Sequence, residues 1–369
     1  MNRLNLLDRG AMLITFILCG LGVLFIRSAT AAPYLSGTLW IKQIVWVVLG
    51  GLFYLFISQI DYKRLVTHAH FFFIGGIVLL VFVLLFGDKI NGARSWFRLP
   101  FMSFQPSEVM KIATVLMVAK YFSRFQERQS SLLEFVVSSL LIAIPVSLII
   151  LQPDMGTALC YVPFFVIPNF LLGNKESIWV TGLGTLLAVV LVAGVVFKPD
   201  WIFFMKDYQK NRIVTFIYPE KGTLSTGYQV HQSKISIGQG GLLGSGLGQG
   251  QQTQMGFLPA QHNDFILGVA AEELGFVGVA TVFALFMMLF MRSFTTALEA
   301  SDATGSILVM LVIGTLVTQT LFNAAMLIGM VPTTGIPFPL LSYGGSSLMT
   351  SMGLLGLIQS VRTHRFVNH

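Results

Sequence analysis

Charged residues are scarce in this chain. Lys, Arg, Asp and Glu make up only 11% of its 369 residues, while 54% are hydrophobic. Soluble domains carry about 25% charged residues, so the composition excludes a water-soluble globular domain and predicts a polytopic membrane protein. The net charge of +7 fits basic loops that anchor the chain or attract anionic lipid. No nucleic-acid partner is expected.

Cysteine and histidine are also rare. The two cysteines, Cys19 and Cys160, lie in separate apolar runs, which predicts packing rather than a disulfide or a metal site. None of the six histidines forms an H-x-x-x-H pair, so no metal site is predicted. The N-terminal apolar run has no small-residue cleavage site and is interpreted as a retained helix.

Long apolar runs make up most of the sequence. A bilayer needs about 20 apolar residues per helix, and ten runs qualify: 10–29, 39–59, 69–87, 107–123, 133–151, 156–172, 177–197, 263–291, 304–330 and 343–361. Most of the Lys and Arg residues in short loops fall on the side of both termini. The predicted fold is therefore all-α, a single domain over 1–369 with both termini cytoplasmic.

One long outer segment, 198–262, separates predicted spans seven and eight. Its first part, Trp201 to Tyr218, mixes basic and aromatic residues, which fits either an interfacial helix or an ordinary aromatic belt. The glycine-rich stretch Gly238 to Gly250 does not follow a strand of a βαβ unit, so a nucleotide loop is excluded. A flexible loop is favoured there.

The most informative stretch runs from Pro259 to Gly275, where a polar segment meets an apolar one. In a helix that begins near His262, one face would carry small and acidic residues: Asp264, Gly268, Ala271, Glu272 and Gly275. Other faces would present lipid-facing residues: Phe265, Val269 and Phe276. This pattern predicts an acid-bearing cavity at the outer membrane surface.

The predicted fourth span holds Glu108 and Lys111, three residues apart and so on one helix face. They either line a polar cavity or form a structural ion pair. Just before them, Arg94, Trp96 and Arg98 suit a phosphate at headgroup depth or plain interfacial anchoring.

Several other polar residues lie near the predicted outer surface. Asp154 either caps the following helix or faces the cavity. Gln319 and Asn323, one turn apart, are expected to form interhelical hydrogen bonds. The turn from Pro337 to Ser346 is expected to be rigid, with serines such as Ser342 capping the last helix. His262 lies close to Asp264 and is able to orient it, although a lone interfacial histidine usually does not. Together these features suit an anionic, lipid-linked substrate, for either transport or transfer chemistry.

Seven stretches of the chain, taken together, resemble the SEDS family (shape, elongation, division and sporulation). They occur in family order over almost the whole chain: 104–113, 152–157, 207–213, 232–238, 240–241, 259–275 and 337–346. The resemblance implies a peptidoglycan glycosyltransferase of the bacterial inner membrane that polymerises lipid II into β-1,4 glycan strands. It also implies a class B penicillin-binding protein as partner. Short termini favour an elongation role over the division role of its paralogues.

The resemblance implies that Asp264 is the essential aspartate and that Glu108 and Lys111 are the paired charges of the fourth helix. Asp264 is then the general base, and basic side chains receive the pyrophosphate that leaves with undecaprenol. A divalent cation is compatible with this chemistry. Two positions depart from the family pattern, because Ser95 and Lys210 stand where arginines are usual.

The residues expected to contact substrate are Arg94, Trp96, Arg98, Gln105, Ser107, Glu108, Lys111, Asp154, Gln209, Arg212, Gln232, Lys234, His262 and Ser342. Two rival hypotheses remain. A lipid II flippase needs charges spread through the bilayer depth, and a non-catalytic scaffold has no need of Asp264.

Overall fold

A computed structural model describes residues 6–31, 37–90, 93–98, 103–125, 132–172, 226–258 and 260–365, with residues 178, 179, 182, 212, 215 and 216 between them. Two sequence predictions, the span 177–197 and the interfacial helix from Trp201 to Tyr218, fall largely or wholly outside the described residues.

The described residues are mostly helical. The helices are α1 (Arg9–Ala29), α2 (Leu39–Gln59), α3 (Tyr62–Thr67), α4 (Ala69–Phe86), α5 (Pro106–Phe122), α6 (Leu132–Leu151), α7 (Met155–Leu159), α8 (Val162–Leu172), α9 (Thr226–Gly240), α10 (Gln251–Gln254), α11 (Ile266–Leu298), α12 (Ala303–Leu327) and α13 (Gly345–His364). Five of them, α1, α2, α4, α11 and α12, are long and apolar enough to cross a membrane. Predicted spans at 10–29, 39–59 and 69–87 match α1, α2 and α4 closely.

Two predicted spans differ in the structure. The run 156–172 is not one helix, because the chain turns at Cys160 and Tyr161 between α7 and α8. Pro163 lies at the start of α8, where its missing N–H has no helical partner to lose. The run 263–291 becomes the longer helix α11, which has a break inside it at Gly275 (φ 64°, ψ −164°).

A small antiparallel sheet, which the all-α prediction missed, joins α4 to α5. Its strands are β1 (Asp88–Ile90), β2 (Ala93–Arg98) and β3 (Ser103–Phe104), with β2 in the middle. Phe97 pairs with Phe104, and Arg98 pairs with Ser103. The strands are too short to give a clear alternating pattern in the sequence.

Helix α13 lies in the centre of the bundle and is buried along almost its whole length. It packs closely on α2, where an added Cβ at Gly353 would lie 2.6 Å from the Phe53 ring and one at Gly356 would lie 2.9 Å from the Tyr54 carbonyl oxygen. Small residues thus bring the two backbones together, as is common between membrane helices.

A charge cluster ties three helices together at one end of the bundle. Asp8 caps α1 by accepting a hydrogen bond from the Ala11 N–H at 3.0 Å. Its carboxylate also accepts a hydrogen bond from Arg292 Nε of α11 at 3.0 Å and lies 3.6 Å from Arg362 of α13. These three residues therefore share one end of the molecule, as the charge pattern predicts.

Candidate functional site

Asp264 lies in a turn and not in a helix. Helix α11 begins only at Ile266, so the expected helix from His262 is wrong. Asp264 is half-buried, and burial raises the pKa of its carboxyl group to about 6, against the opposing effect of the Arg212 charge and with a smaller contribution from Asp154. A carboxylate with such a pKa is deprotonated at neutral pH and is a better base than an exposed aspartate.

Contacts from two distant segments hold the Asp264 turn. Asn323 of α12, fully buried, donates from Nδ2 to the Asp264 carbonyl oxygen at 2.8 Å and to the Ile336 carbonyl oxygen at 2.7 Å. Ser342 Oγ donates to the Asn263 carbonyl oxygen at 2.7 Å, and the Tyr343 N–H donates to the His262 carbonyl oxygen at 2.9 Å. The turn is thus fixed through its backbone, and these hydrogen bonds do not involve the Asp264 carboxyl group.

These contacts also revise two sequence predictions. Ser342 does not cap α13, because the capping position is Gly344 and no side chain bonds there. Asn323 does make hydrogen bonds across the bundle as expected, although its partners are backbone carbonyls beside Asp264. Its neighbour Gln319 also hydrogen-bonds across the bundle, with Cys160 in the turn between α7 and α8.

The predicted acidic face of α11 does not form. Glu272 instead accepts hydrogen bonds from the Gln252 N–H at 2.7 Å and the Thr253 N–H at 3.0 Å. Phe265 and Val269, expected to face lipid, are buried, while Phe276 is exposed as predicted. Asp264 lies in the turn before Ile266, so it does not continue the helix face that carries Glu272.

Glu108 and Lys111 form an ion pair on α5, with Lys111 Nζ 2.7 Å from Glu108 Oε1, which is one of the two alternatives left open by the sequence. Their side chains are only 2% and 1% exposed. Ser107 beside them is also buried, and its carbonyl oxygen accepts a hydrogen bond from the Tyr161 hydroxyl at 3.4 Å. In this conformation the pair is enclosed by the surrounding helices and lies within α5.

Asp154 links the start of α5 to the start of α7. It caps α7, one of the two alternatives left open by the sequence, and accepts a hydrogen bond from the Thr157 N–H at 3.1 Å. Its second oxygen accepts a hydrogen bond from Gln105 Nε2 at 2.7 Å. Since Asp154 also raises the pKa of Asp264, the two carboxylates belong to one polar region.

A basic cleft lies between α9 and the segment 329–333. Arg212, His231 and Lys234 line it together with apolar residues and Thr333. Arg212 Nη1 donates to the Thr333 carbonyl oxygen at 3.0 Å, which fixes the guanidinium at the edge of the cleft. The sequence singles out Arg212 and Lys234 but not His231, which lies one helical turn before Lys234 and so on the same face.

The remaining predicted residues fall in different places. Arg94, Trp96 and Arg98 alternate along β2, so they share one face of the sheet, and they do not line the basic cleft. Gln232 is half-buried on α9, and Gln209 lies outside the described residues.

His262 packs edge-on against Tyr343, with ring centroids 5.9 Å apart. Burial lowers the pKa of His262, so its imidazole is neutral at neutral pH. Among the residues that the structure describes, no three His, Cys, Asp or Glu side chains are grouped as a metal site would require.

Comparison with known proteins gives consistent matches over most of the chain. The profile of the FtsW/RodA/SpoVE family, described as cell cycle proteins, matches residues 9–366. The peptidoglycan glycosyltransferase MrdB of Escherichia coli K12 is 38% identical over 88% of this chain and 85% of its own. The peptidoglycan glycosyltransferase RodA of Treponema pallidum is 31% identical over 96% of this chain and 97% of its own.

Solved structures agree with these matches. A chain from a peptidoglycan synthase complex that coordinates polymerization and crosslinking superposes with a TM-score of 0.80, at 29% identity, over 98% of both chains. RodA of Thermus thermophilus gives a TM-score of 0.71 at 27% identity, again over 98% of both. The chain therefore belongs to the FtsW/RodA/SpoVE family, which is the SEDS family.

Proposed function

We propose that this protein is a peptidoglycan glycosyltransferase that polymerises lipid II into β-1,4 glycan strands, with Asp264 as the general base. The names of its relatives, MrdB, RodA and FtsW, support glycosyl transfer. One observation about the site supports the role of Asp264. Its half-buried carboxyl group has a raised pKa of about 6 and lies within the electrostatic influence of Arg212, a residue of the basic cleft.

The reaction assigns a task to each of these groups. Asp264 takes the proton from the 4-hydroxyl of the acceptor GlcNAc as that oxygen bonds to C1 of the donor MurNAc. The bond from C1 to the undecaprenyl pyrophosphate breaks on the opposite face, so the configuration inverts. A base whose pKa lies near the working pH combines a large deprotonated fraction with a strong affinity for the proton.

The pyrophosphate leaves as an anion and needs positive charge rather than a proton. Arg212 and Lys234 supply two charges at the basic cleft, and His231 adds a hydrogen-bond donor there. Arg212 is already held by the Thr333 carbonyl oxygen, so little ordering is required when the anion arrives. We assign the donor pyrophosphate to this cleft.

Glu108 and Lys111 are assigned an indirect part. Their burial keeps them from direct contact with a sugar in this conformation. They fix the first turn of α5, whose preceding residue Gln105 binds Asp154. Through Asp154 this arrangement acts on the charge state of Asp264.

Of the other expected contacts, we propose that six meet the glycan and lipid headgroup: Arg94, Trp96, Arg98, Gln209, Gln232 and His262. Ser107 and Ser342 are buried, so we assign them the indirect part of supporting α5 and the Asp264 turn. We place the site on the extracytoplasmic face of the bacterial inner membrane. The same proposal has ten transmembrane spans, both termini in the cytoplasm, and the long outer loop 198–262 between spans seven and eight.

We assign the protein to cell elongation, with a class B penicillin-binding protein as its partner. Similarity to the relatives named MrdB and RodA supports elongation, although FtsW relatives are also 31–33% identical to this chain. A division role is therefore the alternative. The neighbour from a complex that coordinates polymerization and crosslinking supports a crosslinking partner.

The test is polymerisation of fluorescent lipid II by the purified protein with its class B partner. Asp264→Asn is expected to remove polymer while leaving the protein folded and partner-bound. Glu299→Gln, a half-exposed acid paired with Arg365, serves as a control and should polymerise normally. Near-normal polymer from Asp264→Asn would exclude the base role. Translocation of lipid II across vesicles by the wild type, with no polymer formed, would favour the flippase.

A further inference from the structure

The glycine-rich segment Gly240 to Gly250, for which the sequence favours a flexible loop, instead completes the broken helix α11. At Gly275 the helix loses its own hydrogen-bond partners. The Phe276 N–H donates to the Gly241 carbonyl oxygen at 2.9 Å, and the Val277 N–H donates to the Leu242 carbonyl oxygen at 3.1 Å. In the other direction, the N–H groups of the segment donate to the Glu272 and Glu273 carbonyl oxygens at 2.9 and 3.0 Å.

This exchange requires glycine at two points of contact. A Cβ at Gly244 (φ 81°) would lie 2.1 Å from the Glu273 carbonyl oxygen, and a Cβ at Gly275 would lie 2.4 Å from the Gly244 nitrogen. Both distances are far below van der Waals contact. The glycines therefore allow two backbones to satisfy each other, as is required where backbone lies at membrane depth.

Two buried carboxylates fix the segment further. Glu272 binds the start of α10 through the Gln252 and Thr253 N–H groups. Glu273 accepts hydrogen bonds from the Ser28 hydroxyl of α1 and from the Gly248 N–H. The segment is thus held against α1 and α11 along its length, and its side chains have a defined direction.

Those side chains are apolar and uncovered. Leu242, Leu243 and Leu247 are 71%, 80% and 52% exposed, and next to them Phe276 and Val277 of α11 are 67% and 52% exposed. A contiguous patch of this kind on a soluble surface would mark an interaction site. Here it adjoins a helix that is long and apolar enough to cross the membrane.

The position of the patch along α11 identifies what covers it. At 1.5 Å per residue, the part of α11 after the break at Gly275, residues 276–298, is about 35 Å long, which is enough by itself to cross a hydrocarbon core of about 30 Å. The helix is buried in protein from Ile266 to Glu273, and its lipid-accessible surface begins at Phe276. Leu242 is bonded to Val277, so the leucines lie at the depth where lipid contact starts.

We propose that Leu242, Leu243 and Leu247 insert into the acyl chains of the leaflet next to Asp264. The segment is then a short re-entrant anchor that holds the Asp264 end of the molecule at a fixed depth in the bilayer. This inference rests on the geometry of the segment and does not depend on the reaction.

Site-directed spin labelling tests it in the full-length protein. Both native cysteines are buried, so a thiol-reactive nitroxide label will react selectively with an exposed, introduced cysteine. Leu243→Cys is labelled and reconstituted in vesicles of phosphatidylethanolamine and phosphatidylglycerol. Collision rates are then measured with oxygen, which concentrates in hydrocarbon, and with a water-soluble nickel chelate. Phe276→Cys is the lipid-facing control, and Gln251→Cys, exposed on α10, is the aqueous control.

The ratio of oxygen to nickel collisions at position 243 is expected to match that at position 276 and to exceed that at position 251. A ratio like that of Gln251→Cys would overturn the proposal. Shielding from both reagents would also overturn it, because protein would then cover the patch. If Leu243→Cys fails to reconstitute, Leu242→Cys and Leu247→Cys give the same comparison.

Discussion

The rate of lipid II polymerisation should fall on the acid side of neutrality, with half of the plateau rate near pH 6. Asp264 acts as a base only when deprotonated, and its pKa is raised from 3.8 to about 6 by burial. Simple titration about that value leaves about 90% of Asp264 deprotonated at pH 7 and about 10% at pH 5. An exposed aspartate, with a pKa of about 3.9, would hold the rate constant across this range.

Two neighbouring charges shift the pKa of Asp264 in opposite directions, so their removal tests the direction of the pH shift. Arg212 lowers the pKa of Asp264, and Asp154 raises it. Arg212→Gln should therefore move the acid limb to higher pH, while Asp154→Asn should move it to lower pH. Arg212→Lys keeps the charge and should leave the limb closer to its wild-type position.

The assay is the initial rate of polymer formation at saturating lipid II, with each variant normalised to its own plateau. This normalisation separates the position of the limb from losses in substrate binding, which are expected for Arg212 variants. A wild-type midpoint near pH 4, or a limb that neither charge variant moves, would refute Asp264 as the titrating base.

Three further predictions follow from the same contacts. Asp264→Asn should raise the free energy of unfolding above about pH 6 by up to about 3 kcal/mol, because keeping the buried carboxyl group charged costs about 1.4 kcal/mol per pKa unit. Thermal unfolding should show that the difference from the wild type shrinks as pH falls toward 4. Asn323→Ala should lower kcat roughly tenfold to a hundredfold with little change in KM, because the Asp264 turn loses the hydrogen bond that fixes its position. A normal kcat, or an equal loss of kcat in Gln319→Ala, would contradict this. Asp8→Asn should destabilise the protein by about 1–3 kcal/mol, because it weakens the bonds to Arg292 and Arg362; an unchanged melting temperature in detergent would count against it.

The pH dependence of the Asp8 contribution has the opposite sign to that of Asp264. Burial alone would raise the pKa of Asp8, but hydrogen bonds from Arg292 and Ala11 and the nearby Arg362 outweigh it and lower the pKa. Its stabilising contribution is therefore complete above the ordinary aspartate range and is lost as pH falls through the lowered value. Melting temperatures of the wild type and Asp8→Asn should converge only at strongly acidic pH.

Local rules let the sequence determine much of this protein. Apolar runs set the positions of α1, α2 and α4 because the thickness of hydrocarbon fixes helix length, and each helix satisfies its own backbone. Glu108 and Lys111 share a helix face as predicted, because residues three apart lie on the same side of a helix. Asp154 caps α7 for the same local reason. The family motifs likewise depend only on the order of residues.

Tertiary structure alone decided the environment of these residues. The burial of Glu108 and Lys111 depends on the packing of other helices around α5, which no spacing within α5 encodes. Asp264 is held by Asn323 and influenced by Asp154, partners 59 and 110 positions away along the chain. The helix expected through Asp264 does not form because those contacts stabilise a turn, and Glu272 is bound instead by the Gln252 and Thr253 N–H groups. The raised pKa of Asp264, the basic cleft and the exposed leucine patch all arise from residues that are far apart in the sequence and close together in the fold. The order of residues does not give those distances in space.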